Sequence, residues 1–251
     1  MVPLPDAGRV FRGARRVRLG DTDRNGQLRL DACARFLQDV SNDDTADAGE
    51  DPKAFWVVRR AVVDVLRPPN WREWVDLATW CGGTGSRWAE RRLSLTGDHG
   101  GHIEVATLWV YVDAATMAPA RLPASFAETY APAAGGRKVK PRRTLGAPVD
   151  EAVTVSWPLR AVDVDLLGHV TNAAYWAPVE EQLRGGPASL RGERHPLLAT
   201  PFRAVMEFGA GIAPDAEVAL RVHDADDRLA LWFDVGGTVD AAALVVPLPG
   251  G

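Results

Sequence analysis

The sequence predicts an α+β protein in which one chain carries two antiparallel sheets, each with one long helix lying against it. Three observations lead there. Strand-like alternating runs bounded by turn residues fill most of the chain. A helical period of three and four residues appears in the first half, and a helix is read at the corresponding place in the second. The two halves also repeat one another.

The elements follow in order. Arg15 to Leu19 alternates as a strand, and Asp21-Thr22-Asp23-Arg24-Asn25-Gly26 reads as a turn. Cys33, Phe36, Leu37 and Val40 mark a helix that Asp31 is placed to cap, ended by the polar run from Asn42 and by Gly49. Strands are expected at Phe55 to Leu66, Val75 to Cys81, Trp88 to Thr96 and Ile103 to Val112. Between Ala131 and Pro148 the composition turns to Pro, Gly and Ala, with Arg137, Lys138, Lys140, Arg142 and Arg143 as the only charges; this reads as a linker. The programme then restarts. Val153 to Arg160 alternates, a helix is expected from about Asn172 to Leu183 with Gly185-Gly186 stopping it, and strands return at Leu198 to Phe208, Glu217 to His223, Leu229 to Val235 and Ala242 to Val246.

The repeat is explicit. Arg18-x-x-Asp21-x-Asp23-x-x-Gly26-Gln27-Leu28 aligns without gaps on Arg160-x-x-Asp163-x-Asp165-x-x-Gly168-His169-Val170, 142 residues later. Arg60-Ala61-Val62-Val63-Asp64-Val65 aligns on Arg203-Ala204-Val205-Met206-Glu207-Phe208 at 143. Two matches at nearly one offset point to an internal duplication. The expected division is therefore 1–133, a basic linker 134–148, and 149–251.

Composition narrows the function classes. The 251 residues are 46% hydrophobic and 25% charged, which excludes a disordered chain or a coiled coil. A net charge of −4 argues against a nucleic-acid surface. Cys33 and Cys81 make no disulfide framework and lack metal-ligand spacing, and the five His are scattered, so neither a metal nor a cofactor is expected. No long apolar run spans a membrane, and the first residues hold no apolar signal segment, so a cytoplasmic protein is expected. Nine Trp suggest a well-filled interior or an apolar binding slot.

The motif Asp165-x-x-Gly168-His169-Val170-x-Asn172-x-x-Tyr175, followed by Glu180-Glu181, resembles that of the hotdog thioesterases. Two such halves, with Trp56-Val57-Val58-Arg59-Arg60, Arg67-x-Pro69-x-Trp71-x-Glu73-x-Val75, Thr79-Trp80, Arg91-Arg92 and Ala106-Thr107-x-Trp109-Val110 in order, resemble the acyl-acyl-carrier-protein thioesterases from about Val17 to Asp215. The resemblance implies a tandem double hotdog, its two sheets continuous and curved around both helices. It also implies hydrolysis of a fatty acyl thioester to a free fatty acid.

The residues themselves allow that chemistry. Asp165, in the loop before a helix, can activate water or attack the carbonyl. The free N–H groups at the helix start can hold an oxyanion. His169 can bond the carbonyl or orient water, and Asn172 can orient Asp165 or His169 or cap the helix. Of the two helix glutamates, Glu181 matches the family better. The expected site is thus Asp165, His169, Asn172 and Glu181. Gln27 and Arg29-Leu30 replace His169 and Thr171-Asn172 in the first half, which reads as a degenerate copy housing the acyl chain, with Trp56, Trp80 and Trp109 as candidate lining.

Two positions depart from the plant members. Leu167 stands where they have Asn, and Gly211 aligns with their later Glu. The expected partner is an acyl-loaded acyl carrier protein, which the basic linker could meet, or acyl-CoA. An acyl-CoA thioesterase, a non-catalytic acyl-binding protein and a double-hotdog hydratase are the competing functions. The chain is its own pseudo-dimer, with a homodimer left open.

Overall fold

The alternating runs become ten strands hydrogen-bonded into one sheet. The computed structural model describes residues 2–49 and 54–248. Strand β1 (Val10–Arg16) precedes helix α1 (Leu30–Ala48). Strands β2 (Ala54–Arg67), β3 (Trp74–Thr84), β4 (Trp88–Gly97) and β5 (His102–Asp113) follow, then helix α2 (Ala124–Ala134). The second series is β6 (Val153–Ser156), α3 (Trp176–Arg184), β7 (Phe202–Glu207), β8 (Val218–Ala225), β9 (Arg228–Val235) and β10 (Thr238–Pro247).

Across the sheet the order is β1-β3-β4-β5-β2-β7-β10-β9-β8-β6, with every strand pair antiparallel. From either edge to the centre the same connection order appears, so the duplication read from two short motifs extends to the topology. The two expected sheets are continuous, as the resemblance implies, and form one hydrogen-bonded sheet. The seam is β2 against β7, with Arg60 opposite Glu207 and Val65 opposite Phe202. Arg203 grips Asp64 across it with bonds of 2.6 and 2.7 Å. The symmetric partners, Arg60 and Glu207, are diverted to the linker. Arg60 donates to the Arg142 carbonyl, and buried Glu207 accepts from the N–H groups of Thr144 and Leu145.

The linker is therefore docked along the sheet rather than solvated. Trp88 and Trp232 donate their indole N–H to the carbonyls of Val139 and Gly146, and Arg137 donates to the carbonyls of Gly82 and Ala133. Leu145 packs with Ala230, Trp232 and Ala242 on one face of the sheet. The alternate residues Leu229, Leu231 and Phe233 face the other way, into the main core, as the period of two requires.

That core is shared by both halves. Cys33, Phe36, Leu37 and Val40 of α1 and Trp176, Val179 and Leu183 of α3 belong to one buried cluster. Each such large side chain contributes about 1.5–3 kcal/mol on burial.

Two helix expectations change. Asp31 does not cap α1; the cap position is Arg29, and Asp31 bonds Arg29 and Arg35. The first N–H of α1, on Leu30, instead donates to the Glu180 carboxylate at 2.5 Å. The second helix is nine residues, not a long one from Asn172. Pro178 explains this: lacking an N–H, it fits only in a first turn, so the helix begins at Trp176 and 172–175 forms turns. Gly185, at φ 67°, ends it as expected. Helix α2 was not foreseen; Ala- and Pro-rich, it packs Tyr130 and Ala134 against Cys81 of β3.

Among the described residues no helix is long and apolar enough to cross a membrane.

Candidate active site

The two repeat loops fold alike. In the first, the Asp23 N–H donates to Gln27 and the Gly26 N–H to Asp23; in the second, Asp165 donates to His169 and Gly168 to Asp165. Gly26 and Gly168 take φ 76° and 77°, a left-handed turn open to glycine at little cost. Arg18 and Arg160 each bond, through their N–H, the carboxylate of Asp21 or Asp163 three residues on.

The surroundings of the two aspartates differ. The Asp23 side chain is buried and paired with Arg184 and Arg194, which also reach the Gln27 side chain. Burial alone would raise its pKa, but the Gln27 N–H, Arg184, the Asn25 N–H and Arg194 hold it below the usual carboxylate range. Asp165 is half-buried, and among the described residues its side chain has one hydrogen bond, from the Leu167 N–H at 2.9 Å. It lines a cavity of about 340 Å³ together with Leu167 and Asn172.

The contrast extends to the helices. In the first copy the Leu30 N–H is taken by Glu180, itself held by Arg184. In the second copy the residue 142 positions on is Asn172, and among the described residues nothing takes its N–H. Gln38, the counterpart of Glu180, lines the cavity beside it. One copy is thus filled by a buried ionic network, and the other opens onto space.

His169 is exposed in the same loop, its ring beside Gly211; a Cβ on Gly211 would lie 3.4 Å from the His169 Cδ2. Gly211 lies beyond the end of β7, not on a strand, with φ 104°. Its loop is tied down by Asp240, the extra residue of a bulge in β10, which accepts the N–H of Ala210 and Gly211 and bonds the Tyr175 hydroxyl. Burial, with Asp240 next, raises the Tyr175 pKa, so the phenol stays protonated. Glu181 lies apart from the cavity lining. Its carboxylate accepts the Ala188 N–H at 2.8 Å and fills the space over Gly186.

Trp56, Trp80 and Trp109 all line the cavity. The sequence reading missed Gln38, Ser41, Asn42 and Thr45, one face of α1. A signal existed: these uncharged polar residues recur at helical spacing, while Asp39, Asp43 and Asp47 take the solvent side with Arg9 and Arg15. Cys81 lines the cavity too, yet burial raises its thiol pKa; Cys33, fully buried, is pushed up to about 12. Neither thiol is disposed to act as a nucleophile at neutral pH.

A family model described as the acyl-ACP thioesterase N-terminal domain matches residues 8–130. The chain is 32% identical over 246 residues to the uncharacterized protein Rv2001 of Mycobacterium tuberculosis, an alignment spanning 98% of this chain and 95% of that one. Among solved structures, an acyl-ACP thioesterase from Bacteroides thetaiotaomicron matches with a TM-score of 0.75 at 18% identity, over 94% of this chain and 97% of that one. The 12:0-ACP thioesterase from Umbellularia californica matches at 0.74 and 18%, over 94% and 96%. At these identities the structural likeness is one of fold.

Proposed function

The chain belongs to the acyl-ACP thioesterase family and is a thioester hydrolase; from that premise we propose that it frees a carrier-bound acyl group at a single site built on Asp165. The carrying observation is the asymmetry of the copies: Asp23 is locked by Arg184 and Arg194, whereas Asp165 opens onto the cavity. We read 1–133 and 149–251 as two hotdog units joined by the docked segment 134–148, the first supplying most of the cavity wall and the second the reacting loop.

In this reading Asp165 withdraws a proton from water as that water attacks the thioester carbonyl; the C–S bond then breaks and the carrier thiolate leaves with that proton. Alternatively Asp165 attacks directly, expelling the thiolate to form an anhydride that water opens to the free acid and the regenerated carboxylate. The developing oxyanion is received by the unclaimed N–H of Asn172, where a turn end carries positive partial charge. His169, exposed in the same loop beside Gly211 though not among the cavity-lining residues, is the group we assign to orient the water or bond the carbonyl. The Asn172 side chain, free of other hydrogen bonds among the described residues, steadies either group. Glu181 acts at a distance, holding the 186–188 turn that closes α3. Leu167 contributes its backbone N–H to orient Asp165, a role that does not need the Asn of the plant members.

The carrier is taken to be an acyl carrier protein, met by Lys138, Lys140, Arg142 and Arg143, which are exposed on the docked linker while Arg137 is engaged with backbone carbonyls. The test places one acyl chain on carrier protein and on CoA and follows thiol release. Replacing those four residues by Gln should lower kcat/KM for the carrier protein more than for CoA, in a salt-dependent way. An equal effect on both carriers removes the docking role; better use of CoA from the outset replaces the carrier.

A further inference from the structure

The first copy keeps a cavity of its own, and its wall carries positive charge. We propose that this second cavity is a non-catalytic site for a free fatty acid, the product of the reaction; the choice of occupant rests on the hydrolase reading above.

The first ground is correspondence between the copies. The cavity, of about 240 Å³, is lined in part by Leu30, Arg184, Leu198 and Ala199. Their repeat counterparts, 142 or 143 positions away, are Asn172, Asn42, Phe55 and Trp56, and all four line the cavity beside Asp165. Duplication has thus left a cavity in each copy. The ionic network around Asp23 fills the reacting end of the first, and neither Asp23 nor any other acidic residue is in the described lining. What remains can bind a ligand and has no carboxylate base with which to hydrolyse it.

The second ground is charge. Arg184 and Arg194 are balanced by Asp23 and Glu180, and Arg29 and Arg35 by Asp31 and Asp21. Arg67, exposed at the end of β2 and part of the lining, is paired with no carboxylate among the described residues, so one positive charge is left over. Arg184 adds donors. Its Nε bonds Glu180 and its Nη1 bonds Asp23 and Gln27, while the Nη2 of this largely buried side chain donates to nothing among the described residues. A buried N–H without an acceptor is costly, and a carboxylate oxygen supplies a strong one. A single surplus charge suits a monoanion.

The third ground is the rest of the wall. Leu28, Leu30, Val65, Ile103 and Leu198 make it aliphatic. An apolar wall with a few arginine donors suits an alkyl chain that carries a carboxylate. An acyl thioester has no charge on its acyl group and leaves Arg67 without a counter-charge, so the site favours product over substrate.

The experiment uses the full chain and a dodecanoic acid bearing a terminal diazirine, kept below its micelle concentration. After illumination, mass spectrometry of the digested protein locates the label. It should fall within 28–33, 65–68 or 198–202, and be competed by dodecanoate but not by methyl dodecanoate. Ala199→Trp, which copies the side chain of its counterpart Trp56 into an exposed position on the slot, should cut that labelling at least about tenfold. Arg67→Gln should raise the dodecanoate concentration needed for competition at least about threefold, the scale of a partly exposed ion pair. Neither residue lies in the reacting loop, so initial rates of thiol release from a dodecanoyl thioester should stay within about twofold, with thermal unfolding as the check on folding. Label confined to the cavity beside Asp165, or no label, overturns the second site and leaves the hydrolase standing. Equal competition by the methyl ester overturns the recognition of the acid. Label at the second site without turnover of any acyl thioester supports the fatty-acid site and overturns the hydrolysis.

Discussion

Replacing Asp165 and Asp23 by Asn should split activity from stability. Among the described residues the Asp165 side chain has one hydrogen bond, from the Leu167 N–H, and an amide oxygen in Asn can accept it equally well. Its stability cost should stay under about 0.5 kcal/mol, as for a substitution that removes no buried contact. Its kcat should fall at least about 100-fold, or about 2.7 kcal/mol, the scale of losing a general base. Asp23 is the converse. Its side chain is 4% exposed and paired with two arginines, so Asp23→Asn leaves Arg184 and Arg194 undercompensated. Breaking a buried pair costs about 3–5 kcal/mol; the retained amide oxygen lowers that to about 2–3 kcal/mol. At about 2–4 °C per kcal/mol for a chain of this size, Tm should drop by roughly 4–12 °C. Turnover per folded molecule should stay within about twofold. The assay pairs thermal unfolding with thiol release at a temperature where both variants are folded. Wild-type turnover in Asp165→Asn would refute the mechanism. Loss of turnover in a folded Asp23→Asn would refute the assignment of one site per chain.

Acid should weaken the protein through the paired carboxylates. The pKa values of Asp23, Asp31 and Asp163 are all held below the ordinary carboxylate value. Their contribution is therefore complete above about pH 4, the unfolded value, and goes as pH falls through the folded values; urea unfolding at pH 6 and pH 3 should show it, with a shallower loss in Asp23→Asn. Glu207→Ala should release the linker, since Thr144 and Leu145 lose their acceptor; trypsin should then cut after Lys138, Arg142 or Arg143 faster, and unchanged cleavage would count against the docking. Gly211→Glu, which restores the residue of the plant members, should lower kcat, because φ 104° strains any side chain there and its Cβ meets the His169 ring; a gain in kcat would reverse that reasoning. Iodoacetamide should leave activity intact in the folded protein, since both Cys33 and Cys81 are buried with raised pKa values.

What could be read in the chain was local or periodic. Four strands of the first half, β2 to β5, were found to within a few residues from alternation, whereas β1, read as Arg15 to Leu19, runs Val10–Arg16. Helix α1 was found from the spacing of Phe36, Leu37 and Val40, and the second helix through the Gly185-Gly186 stop. The Asp23 and Asp165 loops were recognised as copies because a turn of this kind is specified within about six residues. Where several choices satisfied the local pattern, the reading slipped. Asp31 looked like a cap, but a carboxylate from α3, 150 positions away, took the Leu30 N–H. Helix α2 lacks an amphipathic signature, and its place depends on Cys81 and Trp80 of β3 beneath its end.

The sequence by itself determined the duplication, the antiparallel strands, the two repeat loops and the residues at Asp165, because each depends on chemistry between near neighbours. Only the tertiary structure decided that the sheets merge along β2 and β7, since strand edges carry the same N–H and C=O groups whatever their side chains. It alone decided which loop is open. Asp23 and Asp165 are identical in type and in backbone geometry; what separates them is Arg184, Arg194 and Glu180 against Gln38 and Asn42, contributed from the opposite half of the chain. Long-range packing sets the dielectric and the pairing around a carboxylate, and so decides which copy opens onto the cavity.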